Sequence, residues 1–398
     1  MSLAAQPPAV TEQHPDFASP AFAELLASLS AEFAASAAHY DRHSEFPHAN
    51  LQRLHDSGLL ALTVPRELGG SGASLAQARR VISAVARGEP STALVLVMQY
   101  LQHTRLQQNL AWPHYLRLRV AREAVEKGAL INALRVEPDL GTPARGGLPA
   151  TIARRVPEGW RISGRKIYST GIPGLTWLSV WARSDETVPR VGTWLVHRDT
   201  PGIRIEETWD HLGMRATGSH DVVFEEVLVP FDHAVDVQAA DVPRPSELDA
   251  SGVLWLAVLL SSIYDGVARA ARDWLVAWLR ERTPANLGAP LSSLPRFQEL
   301  LGRIDALLLS NRVLLDAAAE GRVPASEATQ IKYLVSQQAI KAVELGLEAI
   351  GNPALARSNP LERHYRDVLC SRIHTPQDDA ILGAAGRSAF AQAPGAQV

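Results

Sequence analysis

Three polar side chains could do chemistry by their type and setting: His374, His103 and Ser169. His374 is followed by two carboxylates, Asp378 and Asp379, and an imidazole paired with a carboxylate can exchange protons near neutral pH. His103 lies in a segment of helical pattern and Ser169 in a turn, so a core histidine and a turn hydroxyl are equally good interpretations. The residue types therefore allow catalysis, and the surrounding elements must decide where it occurs.

Several common catalytic motifs are missing from the sequence. No Gly-x-Gly-x-x-Gly stretch opens a helix, no phosphate-binding Gly-x-x-x-x-Gly-Lys loop is present, and none of the 13 histidines stands in a His-Glu-x-x-His pair. A Gly-x-Ser-x-Gly turn is also missing. We therefore expect no metal site and no hydrolase of that serine type.

The composition predicts a folded protein of two or three domains. The chain has 398 residues, a net charge of -3, 46% hydrophobic and 20% charged residues. This near-neutral balance lacks the basic footprint of a general nucleic-acid binder, so nucleic acid is not the expected partner. A local basic patch around Arg357, Arg363, Arg366 and Arg372 stays open as an alternative.

Cysteine usage and apolar runs indicate a cytoplasmic protein. Cys370 is the only cysteine, so it cannot form an intramolecular disulfide. The N-terminus lacks a basic region followed by an apolar stretch. The longest apolar run, 253–260, is far shorter than the roughly 20 residues that cross a bilayer, so no membrane partner is expected.

Hydrophobic periodicity divides the chain into helical, β and helical regions, an α+β organisation. Residues 20–127 show three- and four-residue apolar spacing, 128–236 show short β-branched and aromatic runs, and 237–390 are again helical. Residues 1–19 and 391–398 are predicted to be tails.

The last region predicts long helices that pack as a bundle. One helix carries Leu256, Leu260 and Trp274 on one face and ends near Pro284, and another is predicted to be capped by Ser326. Wide apolar faces of this kind need partners, so we expect a homo-oligomer, most simply a homotetramer.

Several sequence blocks, in order, resemble the acyl-CoA dehydrogenase superfamily. They are Pro65-Arg66-Glu67-Leu68-Gly69-Gly70, Glu137-Pro138-Asp139-Leu140-Gly141, Leu212-Gly213-Met214-Arg215, Phe224-Glu225-Glu226-Val227-Leu228-Val229-Pro230 and Glu362-Arg363-His364-Tyr365-Arg366-Asp367. The resemblance implies an N-terminal helical domain, a middle β domain, a C-terminal four-helix bundle, a small-molecule substrate and a flavin, either FMN or FAD.

The resemblance also implies which residues bind the flavin. Tyr168 and Thr170 would lie against the flavin ring, where hydroxyl or backbone donors can reach it. Arg282 would grip the phosphates, often across a subunit boundary, although a solvated charge at a helix end is an equally good interpretation. Three further family positions near the nucleotide end are Gln298, Glu348 and Gly351.

The catalytic base of the dehydrogenases is missing. These enzymes remove an acidic proton with a glutamate, which the segment 372–379 lacks, and the alternative base position in 253–257 is apolar. The segment is instead similar to the flavin-dependent monooxygenases of the superfamily, such as dibenzothiophene monooxygenase. In that branch a flavin reductase supplies reduced flavin, and a C4a-(hydro)peroxyflavin oxidises a sulfur or nitrogen atom.

In that branch His374, His103 and Ser169 match catalytic positions, while Asn132 and Trp209 match positions that line the substrate pocket. Two other hypotheses stay open. The first is an FAD-dependent acyl-CoA dehydrogenase in which Asp378 or Asp379 is a displaced base. The second is a flavin-holding protein without turnover that binds another molecule, such as nucleic acid.

Overall fold

The computed structural model describes residues 15–140, 147–240, 242 and 250–392. Helices come first, strands follow, and helices return, as the sequence pattern predicts. Most of the predicted N-terminal tail and the last six residues of the chain lie outside the described residues. The domain boundaries stay a prediction.

Five helices form the N-terminal region. They are α1 (Pro20–His43), α2 (His48–Asp56), α3 (Leu75–Gly88), α4 (Pro90–Gln108) and α5 (His114–Lys127). α1 begins where the Ser19 hydroxyl accepts the N–H of Phe22, and α3 begins with a capping box between Ser74 and Gln77. Glu89 caps α4, which runs through the interior and carries His103.

Among the described residues, eight strands form one sheet in the middle of the chain. They are β1 (Leu130–Leu134), β2 (Ile152–Val156), β3 (Gly159–Lys166), β4 (Leu175–Ser184), β5 (Arg190–His197), β6 (Ile203–Glu206), β7 (Asp221–Val229) and β8 (Ala234–Ala239). The order is β6-β7-β3-β2-β4-β5-β8, and β1 pairs with β4 in parallel, with Asn132 opposite Leu178. Buried Trp160 and Trp194 contact each other edge to face within the core.

The C-terminal region contains α6 (Ala250–Glu281), α7 (Pro295–Ala319), α8 (Ala328–Ile350), α9 (Asn352–Leu355), α10 (Pro360–Leu369) and α11 (Asp378–Gln392). α6, α7, α8 and α10 pack side by side as the predicted four-helix bundle. The predicted cap at Ser326 is wrong, because Ser326 lies in a short 3-10 turn and α8 begins at Ala328 without a side-chain cap.

Two helices, α1 and α6, are long and apolar enough to cross a membrane by length and composition, with mean hydropathy of 1.2 and 1.5. This is weak evidence, since α6 packs against α3, α4, α7 and α8 as a core helix does. In α1 the apolar side chains Phe22, Leu26, Leu29 and Phe33 form one buried stripe.

Candidate functional site

The turn between β3 and β4 and the segment 209–220 before β7 form the first part of the site. The backbone N–H of Ser169 donates to the carbonyl of His220 at 3.2 Å, and that of Gly171 donates to the carbonyl of Thr217 at 2.9 Å. From β1, the Asn132 amide donates to the carbonyl of Thr170 at 2.9 Å. The structure therefore brings together Ser169, Thr170 and Asn132.

A chain of hydroxyl groups crosses this turn. Thr170 Oγ1 lies 3.0 Å from Ser219 Oγ, which lies 2.8 Å from Thr217 Oγ1. Thr217 in turn donates to the carbonyl of Met214 at 3.0 Å. Ser169 Oγ is buried and has no hydrogen-bond partner among the described residues, which leaves it available to a ligand.

Aromatic rings cover the outer side of the same turn. Tyr168 is 53% exposed, has a left-handed backbone (φ 55°) and contacts Trp209 and His211 edge to face. Trp209 and His211 stack with ring centroids 3.7 Å apart, and the Trp209 indole N–H donates to the carbonyl of Met214. Tyr168 and Trp209 are thus neighbours, and the sequence analysis missed His211.

His103 lies in the interior between α4 and β1. Its Nε2 is 3.1 Å from Gln99 Nε2. Gln99 also donates to the carbonyl of Ala129 at 3.1 Å and accepts the N–H of Ile131 at 2.8 Å, so it contacts the chain on either side of Leu130, the first residue of β1. Burial lowers the pKa of His103 to about 4, so the ring is neutral at pH 7. Because the Gln99 amide nitrogen can only donate, His103 Nε2 accepts and Nδ1 carries the proton, and this buried donor has no partner among the described residues.

His374 occupies a second cluster, at the junction of the bundle helices. Its Nδ1 lies 2.6 Å from the hydroxyl oxygen of Tyr264 on α6. Burial, and to a smaller extent the charge of Lys332, lowers the pKa of His374 to about 4. The sequence suggested a carboxylate partner for this histidine, whereas the structure gives it a phenol.

Asp378, the carboxylate nearest in sequence, is engaged elsewhere. Gln337 donates to Asp378 Oδ2 at 2.8 Å, and the buried ammonium of Lys332 lies 3.6 Å from Asp378 Oδ1. Asp379 is exposed. Loop 209–218 connects the two clusters, because the N–H of Met214 donates to Asp367 on α10.

The four remaining predicted flavin-binding residues lie at the other end of the bundle. They are Arg282, Gln298, Glu348 and Gly351, all of them exposed. At about 1.5 Å per helical residue, Arg282 lies roughly 27 Å along α6 from Tyr264. In one copy of the chain the structure does not bring these four residues to the turn at Ser169.

A cavity of about 350 Å³ lies between the loop 63–73, the end of α4 and the start of α6. Its lining includes Thr63, Arg66, Thr104 and Trp255. Because Trp255 stands in the apolar stretch where some dehydrogenases carry their base, this cavity is the candidate substrate site.

Residues 21–107, 135–227 and 258–378 match the N-terminal, middle and C-terminal domains of acyl-CoA dehydrogenase, in that order. The chain belongs to the acyl-CoA dehydrogenase family. This confirms the predicted superfamily and the predicted α+β fold with its three parts.

Two similar proteins align with most of this chain. YdbM of Bacillus subtilis, named only provisionally as an acyl-CoA dehydrogenase, is 34% identical over 92% of this chain and 96% of its own length. RubN8 of Streptomyces rubradiris, an amino sugar nitrososynthase, is 32% identical over 86% of this chain and 82% of its own.

Solved structures agree with this placement. KijD3 in complex with FMN and a dTDP-linked 3-amino sugar superposes with a TM-score of 0.78 at 27% identity, covering 96% of each chain. FMN-bound TdsC of Paenibacillus sp. A11-2 has a TM-score of 0.80 and covers 93% of this chain and 98% of its own, but its 20% identity shows the shared fold alone.

Several residues that build the site escaped the sequence analysis. Tyr264 and Lys332 carry no motif, and their contacts become visible only when distant segments pack. Gln99 lies four residues before His103 on α4, a spacing that places two side chains on the same helix face and could have been noticed in the sequence. Asp367 entered the sequence analysis only as part of a family block. Its carboxylate accepts a hydrogen bond from the loop residue Met214, a role that the block did not indicate.

Proposed function

We propose that this protein is a flavin-dependent monooxygenase, which uses reduced flavin and O2 to oxidise a nitrogen or sulfur atom of a small substrate. A nitrogen atom is favoured, because RubN8 and KijD3 are similar over most of their length and are associated by name with amino sugars.

The surroundings of His374 carry this proposal. α-Proton removal from a thioester needs a free carboxylate, but His374 pairs with Tyr264 and Asp378 is held by Gln337 and Lys332. The start of α6 offers apolar side chains, Trp255 among them. Within 250–392, oxygen transfer fits this arrangement better than dehydrogenation, because it needs donors and not a base.

The turn at Ser169 fits a flavin. Ser169 Oγ is buried and has no partner in the part of the chain that the structure describes, and the hydroxyl groups of Thr170 and Ser219 contact each other in the same turn region. We assign ring contacts to Tyr168 and Thr170. When bound and reduced, a flavin supplies the two electrons that activate O2.

His374 and His103 would act as neutral hydrogen-bond donors. Both rings stay uncharged at pH 7, since burial lowers each pKa to about 4. A donor fixed before the reaction stabilises an oxygen atom as its negative charge develops, at little reorganisation cost. We assign the walls of a substrate pocket beside the turn at Ser169 to Asn132 and Trp209, neither of which lines the cavity at Trp255.

The assembly completes the site in this proposal. Arg282, Gln298, Glu348 and Gly351 are exposed at the end of the bundle away from Tyr264, so they would bind the phosphate end of a flavin held by a neighbouring copy. We propose a cytoplasmic homotetramer that receives reduced flavin from a separate flavin reductase.

A second candidate is an FAD-dependent acyl-CoA dehydrogenase with a displaced base, which the 34% identity to YdbM supports. Asp379 is the carboxylate near His374 that is most open to solvent, and it would have to approach the substrate. Nucleic-acid binding is not favoured, because the net charge is -3.

Two experiments on the flavin-loaded protein test the proposal, one by flavin absorbance and one by product analysis. The flavin-loaded protein is mixed without oxygen with acyl-CoAs of increasing chain length, and separately the reduced protein is mixed with O2 and a panel of primary amines and thioethers. We expect the oxidised flavin to keep its colour with every acyl-CoA and an amine to yield an oxygenated product. Bleaching by an acyl-CoA would establish the dehydrogenase instead.

A further inference from the structure

We propose that Tyr264 is a positioning residue that fixes the tautomer of His374, so that Nδ1 accepts a hydrogen bond and Nε2 carries the proton. The inference deepens the proposed function and rests on it for its catalytic meaning. The tautomer itself follows from the contacts of this chain.

The contact joins two distant parts of the bundle. Tyr264 is in the middle of α6 and 1% exposed, while His374 follows the 3-10 turn after α10. The phenolic oxygen lies 2.6 Å from His374 Nδ1, and the rings are tilted by 41° with centroids 5.8 Å apart. This distance is that of a hydrogen bond.

The direction of the hydrogen bond follows from which group keeps its proton. A phenol has one O–H, and burial raises the pKa of Tyr264 well above its ordinary value, so the hydroxyl stays protonated. If Nδ1 carried a proton and donated it, the buried Tyr264 O–H would need another acceptor. None is found among the described residues, so the hydroxyl donates to Nδ1.

The charged groups around the pair keep the ring neutral. Lys332 on α8 places a buried positive charge nearby, which disfavours an imidazolium. Asp378 on α11 partly balances Lys332, and Asp367 on α10 and Cys370 in the 3-10 turn face Tyr264. A neutral ring whose Nδ1 is occupied can act only through its Nε2 N–H.

This assignment has a chemical consequence. With Nδ1 occupied and Nε2 protonated, His374 offers a hydrogen-bond donor to an oxygen atom and no free lone pair to take a proton. Tyr264 therefore determines whether this position is a donor or a base.

Nitrogen NMR of histidine-labelled protein tests the assignment without substrate. The His374 signals are identified by their loss in His374→Gln, and the wild type should show a neutral ring with the proton on Nε2. Tyr264→Phe should allow both tautomers and raise the titration midpoint of His374 by about one pH unit, the equivalent of one neutral hydrogen bond. Tyr100→Phe is the matched control, because it removes another fully buried hydroxyl, which binds the carbonyl of Leu59.

Two results would overturn the inference: a wild-type ring with its proton on Nδ1, or an unchanged His374 tautomer and midpoint in Tyr264→Phe. The wild-type spectrum decides the question even if the variant does not fold. Because no turnover is measured, failure of the oxygenase reaction leaves these spectra unaffected, and the two proposals can fail separately. If the tautomer assignment and the proposed oxygenase function are both correct, the pH below which oxygenase activity is lost should rise in Tyr264→Phe and stay unchanged in Tyr100→Phe.

Discussion

The backbone N–H of Met214 donates to Asp367 Oδ1 at 2.7 Å, across 153 residues of sequence. Asp367 is 3% exposed, and Gly213 lies so close to the backbone of Arg366 that a side chain there would clash. The loop that carries Trp209 is therefore held by α10, and the position of the turn at Ser169, which this loop contacts, depends on the bundle.

Asp367→Ala should destabilise the protein and weaken flavin binding. The substitution leaves the buried Met214 N–H without an acceptor, which costs about 1–3 kcal/mol of unfolding free energy. Asp367→Asn keeps an acceptor oxygen and should lose less. Urea denaturation and flavin titration measure both effects, and equal losses in the two variants would contradict the role of this hydrogen bond.

His374→Ala should keep bound flavin and its reduction by a reductase, yet divert the reaction with O2 to hydrogen peroxide. Loss of one fixed donor typically lowers the rate by about 10²–10³. The measurement is oxygenated product and hydrogen peroxide formed per reductant consumed. The exposed His39, which pairs with Glu45, provides the control His39→Ala. Unchanged coupling in His374→Ala would remove this residue from the reaction.

Arg282→Ala should weaken flavin binding more than Arg280→Ala. Both side chains are exposed in one copy, but only Arg282 is proposed to bind the flavin phosphate. The test compares flavin retention of the assembled variants by gel filtration. Equal retention would show that Arg282 is an ordinary surface charge.

The bundle should form the interface of a homotetramer. Leu309 and Val313 stand one turn apart on α7, and each is 52% exposed, which forms an uncovered apolar stripe. Sedimentation at micromolar concentration should give four copies, and the double substitution of Leu309 and Val313 by Glu should reduce that number. Leu110→Glu, 80% exposed before the β domain, is the control. A wild-type monomer would contradict the prediction.

His364 should make the protein less stable as the pH falls. It is 4% exposed, and burial together with the charge of Arg363 lowers its pKa to about 3. Between about pH 6.5 and 3 the unfolded chain binds a proton that the folded chain does not, so the unfolding free energy falls by about 1.4 kcal/mol per pH unit. Relative to His364→Gln, the wild type should lose that amount per unit in urea titrations. A constant difference would mean that His364 is charged in the folded state.

The sequence predicted the order of elements well, because long apolar periodicity and short β-branched runs are local signals. The strand residues around Trp160, Trp181, Trp194 and Val223 all lie in the observed sheet. The start of α8 was placed wrongly because Ser326 has the right type for a cap, while the chain takes a 3-10 turn there. Flavin as cofactor, predicted from family blocks, agrees with the FMN bound to the similar protein KijD3.

The contacts within the site were less accessible from the sequence. Tyr264 and His374 are 110 residues apart, and no local pattern connects a tyrosine inside a helix with a histidine after a turn. The contacts of Gln99 with Ala129 and Ile131 likewise join segments about 30 residues apart. Gln99 and His103 are only four residues apart on α4, so the sequence could have indicated that pair but not the partner of His374.

Glu137 follows β1, within the family block, and is 1% exposed. Burial alone would raise its pKa, but hydrogen bonds from Lys166 and Thr151 outweigh burial and lower the pKa. Lys166 Nζ lies 2.6 Å from Glu137 Oε1, and the backbone of Ala150 donates to Oε2 at 2.6 Å. The backbone N–H of Thr151 also donates to Oε1 at 3.0 Å. Glu137 is therefore held in its charged form between Lys166 on β3 and residues 150–151, where it anchors the chain and is unsuited to take a proton from a substrate.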